Sequence, residues 1–561
     1  VAVTREADAI GVQPSGEEAR PAGARGALAL RRPFTRLEFL LALLGLSLVT
    51  AAALWPHIRH GGFYMDDWAN AAGSLQPPGG HHLGEALSYF ASLTIYRPVL
   101  VLYVPLTFFA FGTHAAYHLA WAAALAMLAA TMFYAVLRTV GVPWVHALVI
   151  AALTIVFPWS DSTRLWATAD QETLSILFMM TGLFVALVGL RRREWKWHAA
   201  AAILYLLSIL TYEVTIPLIA CAGLLYCVLV GWRRARARWL IDIAVAGAGA
   251  IWVAVHTNRS PSGLSGDIDH LKIIVTNGGT ILGRAGLPIG SQRTTLVLCV
   301  LMLTLGVGVA AYLFRGRRFT ERGSWGLREW LFLLVGGLAL AALGWMMFIP
   351  ADPYYTPSVY GMTNRVNGLA AFGLVTAVYS AFGVVSSLAA GALPGRRALV
   401  GATVALLLGL ALLASYTHVL RRHISIWDTA YRAENTAIER LEADRPRLPH
   451  DTTIFAGSYP AYQTLGVPIL GATWDLDGMV KLGYEDMSLH TVPILPERHL
   501  ICRQGWVALV GPGVPQVTAP YRSALLIDLQ TGREAHPHSR ASCRQVVDGF
   551  VPGPLYLSSA Y

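Results

Sequence analysis

Eleven stretches of this chain are apolar for long enough to be candidate membrane spans, and that excludes most of the folds open to 561 residues. They fall near 37–56, 115–138, 143–158, 173–190, 198–211, 214–231, 238–257, 294–314, 329–349, 366–388 and 399–418. A hydrocarbon layer roughly 30 Å thick takes about 20 apolar residues as a helix. Within it only helices and closed barrels can satisfy every backbone N–H and C=O. A chain that is 55% hydrophobic and 14% charged is therefore read as a polytopic membrane protein, not a soluble enzyme. Its net charge of +10 does not point to nucleic acid, because the arginines sit in short loops between apolar runs, where they set topology.

Alternating the runs across the bilayer tests the set. With the N-terminus in the cytoplasm, the basic loops Arg191–Lys196, Arg233–Arg238, Arg315–Arg328 and Arg396–Arg397 all fall inside, as the positive-inside rule requires. The same alternation rules out Pro98–Gly112 as a span. That stretch is short, contains Pro98 and Pro105, and would put every later Arg cluster outside. It reads as an amphipathic or re-entrant segment on the outer surface, within a first external loop from 57 to 114.

The division that follows is a polar, Arg-rich cytoplasmic tail at 1–36 with no signal-peptide pattern, a transmembrane domain at 37–418 and an extracytoplasmic part at 419–561. Arg421 and Arg422 weigh against export of the last part, but long terminal domains escape the charge rule. A polar helical pattern at Ile424–Glu442 leads into short apolar runs such as Thr453–Gly457 and Val507–Val510, which fits a small α+β domain. Cys502 and Cys543 can pair there if it is exported, whereas Cys221, Cys227 and Cys299 lie in apolar runs and read as buried thiols. The fold class is thus mainly α: a helical membrane bundle with surface helices in its first external loop and a C-terminal α+β domain. The Ala, Arg and Gly content and the opening Val suggest a GC-rich bacterium and its plasma membrane.

Polar residues of unusual placement gather in the external loops. Asp66 and Asp67 stand where the first run leaves the bilayer, beside Tyr64 and Trp68 at headgroup depth. Adjacent carboxylates at a water–lipid boundary can take a proton from an acceptor or place a divalent cation. They can equally be solvated loop acids. Arg97, before Pro98, can face those acids or a phosphate, or snorkel as a headgroup Arg. Arg365 follows a loop rich in Tyr and Pro; with Tyr354, Tyr355, Tyr360 and Asn364 it reads as a rim suited to gripping a lipid phosphate. Asp170 and Glu172 sit in the second external loop. Glu213 interrupts apolar sequence on both sides, where a carboxylate is costly unless paired. His114 and His118 have the spacing of joint metal ligands but fit a hydrogen-bonded structural pair better. No phosphate-cradling Gly loop, Cys metal cluster or nucleophile elbow occurs.

At these residues the chain resembles the GT-C superfamily of membrane glycosyltransferases, which use polyprenyl-phosphate sugars. The resemblance lies in Met65-Asp66-Asp67-Trp68 just past the first span, and in the surface segment opened by Tyr96-Arg97-Pro98. The stretch from Tyr96 through Phe111-Gly112 to His118-Leu119 looks like part of the protein O-mannosyltransferases that carry tetratricopeptide repeats, and Thr211-Tyr212-Glu213 is similar to an acidic dipeptide of theirs. The helical repeats of that group are missing here. The resemblance covers about 37–390 and implies an inverting transfer to an envelope glycan, lipid or protein outside the membrane. Asp66 or Asp67 would be general base. Arg365, with Arg97 or Arg259, would neutralise the lipid phosphate, with His118 and Tyr360 on the donor side. Asp170, Glu172 and Glu213 would orient the acceptor, or with Asp67 hold a divalent cation. A transporter or flippase for a lipid-linked sugar, or a non-catalytic scaffold, are the alternative readings.

Overall fold

The computed structural model describes residues 34–77, 80, 82–257, 263–288, 325–390, 397–511 and 516–558. Most of the expected tail, the run 294–314, Arg259, Cys299 and the loop arginines from 315 to 322 and at 396 lie outside the described residues.

Ten of the eleven apolar runs are helices. They are α1 (Arg36–His60), α5 (Ala115–Thr139), α6 (Trp144–Val156), α8 (Asp170–Arg192), α9 (Trp195–Thr211), α10 (Ile216–Val230), α11 (Trp232–His256), α13 (Leu327–Met346), α14 (Gly368–Ala390) and α15 (Arg397–Asp444). Eight helical segments among the described residues are long and apolar enough to cross a membrane; α6 is a shorter apolar helix and α9 has 17 residues. The segment between α1 and α5, expected as the first external loop, carries α2 (Asp66–Leu75), α3 (Leu83–Thr94) and α4 (Pro98–Phe111). Pro98 sits in the first turn of α4, where its missing N–H costs nothing.

Two loops turn out to have different structure from that expected of open external loops. The segment after α6 contains a 3₁₀ turn at Pro158–Ser160, the short α7 (Ser162–Leu165) and a second 3₁₀ turn at Ala167–Ala169, and residues 157–167 are buried. The physical reason is α6 itself: 13 residues rise only about 20 Å, so the following chain folds down into the bundle. Between His256 and Arg293 lies α12 (Gly263–Gly286), amphipathic, with His270, Ile274, Ile281 and Ala285 buried on one side and Ile268 and Val275 exposed. On the Arg-rich side, Arg233, Arg234 and Arg236 are exposed in the first turns of α11, whereas Arg238 is buried on Asp242.

Helix α15 runs for 48 residues, about 72 Å, without a break. Its first half packs on α6 and α14; its second half supports a domain built on a four-stranded sheet. In that sheet β1 (Thr453–Gly457) pairs parallel with both β4 (His490–Pro493) and β8 (Ala524–Asp528), and β9 (Glu534–Ala535) closes one edge antiparallel. An antiparallel sheet β5-β6-β7 (His499–Cys502, Trp506–Val510, Val517–Pro520) and a small pair β2-β3 (Tyr462–Thr464, Val467–Pro468) complete it, with α16 (Thr473–Gly483) and α17 (Arg540–Val546). A Cys502–Cys543 disulfide ties β5 to α17. One continuous core runs from Leu46 and Ile150 in the bundle through Trp427 and Leu441 of α15 to Ile454 and Leu476 in the sheet domain.

Two glycines bring that domain down onto the bundle. A Cβ at Gly478 of α16 would meet the Trp68 carbonyl of α2 at 2.6 Å. At Gly361, with φ +54°, a Cβ would meet the Gly466 carbonyl at 2.1 Å, and Met362 N–H donates to that same carbonyl at 2.7 Å. The neighbours in both places are backbone and cannot swing aside. Gly478→Ala should therefore lift α16 from α2 and cost about 1–3 kcal/mol, read as a lowered thermal midpoint of the purified protein.

Candidate active site

The acidic pair opens α2, and the turn before it is strained: Met65 has φ +49°, a region L-residues rarely adopt. Asp67 explains why the turn holds. One carboxylate oxygen accepts from the Tyr64 amide at 2.9 Å; the other accepts from the Thr168 amide at 2.7 Å and from the Thr168 hydroxyl. Asn70 donates to the same hydroxyl at 3.0 Å. Asp67 thus bolts the first external loop to the buried segment after α6, and its oxygens are occupied. Asp66 is different. Among the described residues it accepts only from the Trp474 indole of α16, at 2.7 Å, and it lies within electrostatic reach of Arg365.

Arg365 lies in the 3₁₀ turn Met362–Asn367 that leads into α14, stacked over Trp166 (5.0 Å) and Tyr355 (5.5 Å). It makes no ion pair or hydrogen bond with another described residue. The turn is held by its neighbours. Asn364 donates to Asp161 at 2.6 Å and accepts from Ser162, while Asn367 donates to the Trp159 and Ser358 carbonyls. Asp161 also bonds His423 of α15 at 2.5 Å. The Glu172 carboxylate packs against Gly368 at the N-terminus of α14, where a Cβ would meet it at 2.3 Å, and lies within electrostatic reach of Arg365.

Arg97 and Glu213 form a buried bidentate pair, with both contacts at 2.8 Å and the Tyr212 ring 4.0 Å from the guanidinium carbon. That pairing raises the Arg97 pKa and answers why a carboxylate stands between two apolar runs. Asp170 accepts from the Tyr103 hydroxyl at 2.6 Å. Tyr360 contacts Arg284 at 3.2 Å, and its carbonyl lies beside Gly466. His118 bonds the Gly112 carbonyl at 3.0 Å within a cage of Phe63, Phe108 and Phe111, as a structural histidine does. The acids named for a divalent cation fit one poorly. Asp67 has a protein donor on each oxygen and Asp170 on one, and among the described residues no three His, Cys, Asp or Glu side chains are placed to hold a metal ion.

Sequence reasoning missed Thr168, Asp161, Asn364 as a holder of the turn, and Trp474. Thr168 and Asp161 sit in the same polar stretch as Asp170, which was the available signal. Trp474 is 408 residues from its partner and carried none.

Burial drives the acids of this site upward: Asp66 is raised from 3.8, Asp67 reaches about 7 and Asp475, at the start of α16, about 8. A carboxyl whose folded pKa exceeds its unfolded value binds more protons when folded, so its contribution to stability falls as pH rises through that interval. The thermal midpoint should therefore drop between about pH 4 and pH 8, and Asp475→Asn should flatten that drop. Glu213→Gln, which leaves a buried guanidinium without its counter-charge, should cost about 3–5 kcal/mol by thermal or denaturant unfolding.

No protein-family model matches the chain, and no curated protein does. Among solved structures it is similar to the oligosaccharyltransferase of Archaeoglobus fulgidus. The form tethered to an acceptor peptide aligns at 13% identity with a TM-score of 0.36, covering 82% of this chain and 64% of that one. The same enzyme, AglB, in complex with an inhibitory peptide and a dolichol-phosphate aligns at 14% identity and TM-score 0.38, covering 81% and 64%. The complex with Zn and sulfate aligns at 14% and 0.36, covering 81% and 62%. The chain thus spans under two thirds of the length of these structures.

Proposed function

We propose that this protein is a membrane glycosyltransferase of the GT-C kind. It moves a sugar from a polyprenyl-phosphate donor to an envelope acceptor on the extracytoplasmic face, with inversion. The observation that carries the reading is the placement of Asp66, whose one hydrogen bond among the described residues is to Trp474, within electrostatic reach of Arg365, which makes no ion pair or hydrogen bond with another described residue, at one mouth of an apolar bundle. The Asp66 face is also the face of the sheet domain, whose disulfide suits an oxidising compartment.

The division of labour follows from the hydrogen bonds. Asp67 has no oxygen to spare and positions α2; Asp66 is the general base. The acceptor hydroxyl gives its proton to Asp66 while its oxygen attacks the anomeric carbon, and the bond from that carbon to the phosphate oxygen breaks on the opposite side. Polyprenyl phosphate leaves with the electron pair, its charge met by Arg365 in a site of low dielectric. The isoprenoid has a place to lie. A cavity of about 290 Å³ among α5, α8, α10 and α13 is lined by Phe133, Met180, Leu218, Leu225, Phe332 and Leu340. Asp66, Arg365 and the Arg97–Glu213 pair gather at one mouth of the bundle, a placement that favours transfer at an interface over transport through a mid-bilayer site.

In proteoliposomes given a panel of radiolabelled polyprenyl-phosphate sugars and envelope extract, Asp66→Asn should lower kcat by about 10²–10⁴ while lipid binding persists. Arg365→Gln should raise the donor KM. For the wild type the rate should fall on acidification through a value above the ordinary carboxylate 3.8, since the base must be ionised. Full activity of Asp66→Asn would end this reading.

A further inference from the structure

We infer that the acceptor is a glycan, held by an aromatic rim that the sheet domain and the membrane bundle build together around Asp66. The inference rests on the glycosyltransferase reading and names the acceptor class for that same site.

Two aromatic side chains beside the base, Trp474 and Tyr354, are exposed, and a third, Tyr556, joins them through Tyr462. Trp474 is 51% exposed while its indole N–H is fixed on Asp66; Tyr354 is 47% exposed and Tyr556 38%. Tyr354 lies within electrostatic reach of Asp66 and Arg365, and Tyr462 within reach of Tyr354 and Tyr556, with the Tyr462 and Tyr556 rings 6.0 Å apart. The rim therefore runs from the loop before α14, through α16, to the chain segment after residue 551. Its members come from three separate parts of the sequence, and none of the exposed rings covers core.

The chemistry of such a rim is selective. A sugar ring offers one face of C–H groups, which packs on an aromatic ring, and an edge of hydroxyls. Trp474 meets both needs, since a ring stacked on its exposed surface places a hydroxyl at the edge where Asp66 waits. An extended peptide would instead seek a free strand edge. The strand nearest the site, β2, has none. It pairs with β3 on one side, and on the other Tyr462 accepts from Leu557 N–H and donates to the Leu555 carbonyl. A tethered acceptor of several sugar units also accounts for a rim longer than one residue.

The test uses the full chain in nanodiscs with two probe panels: neutral oligosaccharides of three to six hexose or pentose units, and Ser/Thr- or Asn-containing peptides. Binding is read by saturation-transfer NMR and calorimetry. At least one oligosaccharide series should bind, with Kd weakened about tenfold or more by Trp474→Ala or Tyr354→Ala. Trp474→Phe, which keeps a ring and removes the N–H, should retain most of the affinity. Both sites are half exposed, so the variants should fold, and Trp474→Ala should bind polyprenyl phosphate as the wild type does. Failure of every oligosaccharide to bind, with or without peptide binding, overturns the inference, as does oligosaccharide binding that Trp474→Ala leaves unchanged. Loss of transfer in Asp66→Asn is a separate readout. It can stand when the glycan rim fails, and it can fail when sugars bind.

Discussion

A single buried carboxylate holds the reactive face in register. Asp67 takes two backbone amides and a hydroxyl, from two loops a hundred residues apart, and without those bonds a fully buried acid would cost several kcal/mol. With them it fixes the strained turn at Met65 and the direction of α2. Everything aimed from α2 depends on that: the exit of Asp66 toward Arg365, the seat of Trp68 under Gly478, and the height at which the sheet domain settles.

Around that anchor the charges are arranged in a sequence that the membrane would otherwise not tolerate. Glu213 neutralises Arg97, and Glu172 uses the first turn of α14 as well as the field of both arginines. Arg365 is left stacked on aromatic rings and unmatched by a carboxylate contact. A buried guanidinium with no direct ion pair among the described residues, with only Asp66 and Glu172 acting on it at a distance, still attracts an anion. The bundle below offers an apolar cavity and the domain above an aromatic rim, and on the proposed reading lipid, phosphate and polar acceptor would each have a region of matching polarity.

How far the chain could be read in advance depended on whether a residue's partner was near in sequence or implied by solvent. Apolar runs declared their helices because the bilayer imposes a length. Asp66, Arg97, Glu213 and Arg365 stood out because a charge beside apolar sequence is expensive and needs a reason. The segment around Trp159 and Asp161 looked like an exposed loop, since its polar residues hide the fact that α6 is too short to carry the chain across. Amphipathic α12 lies outside the apolar runs because only one side of it, at His270, Ile274, Ile281 and Ala285, is buried. The division between Asp66 and Asp67 was illegible: two identical side chains in adjacent positions differ only in what Thr168 and Trp474, far along the chain, bring to them.

The unbroken length of α15 has its own effect. A helix turns by about 100° and rises 1.5 Å with each residue, so a rod that passes without a joint from lipid to sheet ties the azimuth of the sheet domain to the residue count. Adding or removing one residue between Tyr416 and His423 would swing Trp474 away from the mouth of the bundle, whereas a change near a whole turn would nearly restore its bearing. In such a protein the spacing of a smooth, featureless helix is as much part of the reactive geometry as the side chains it carries.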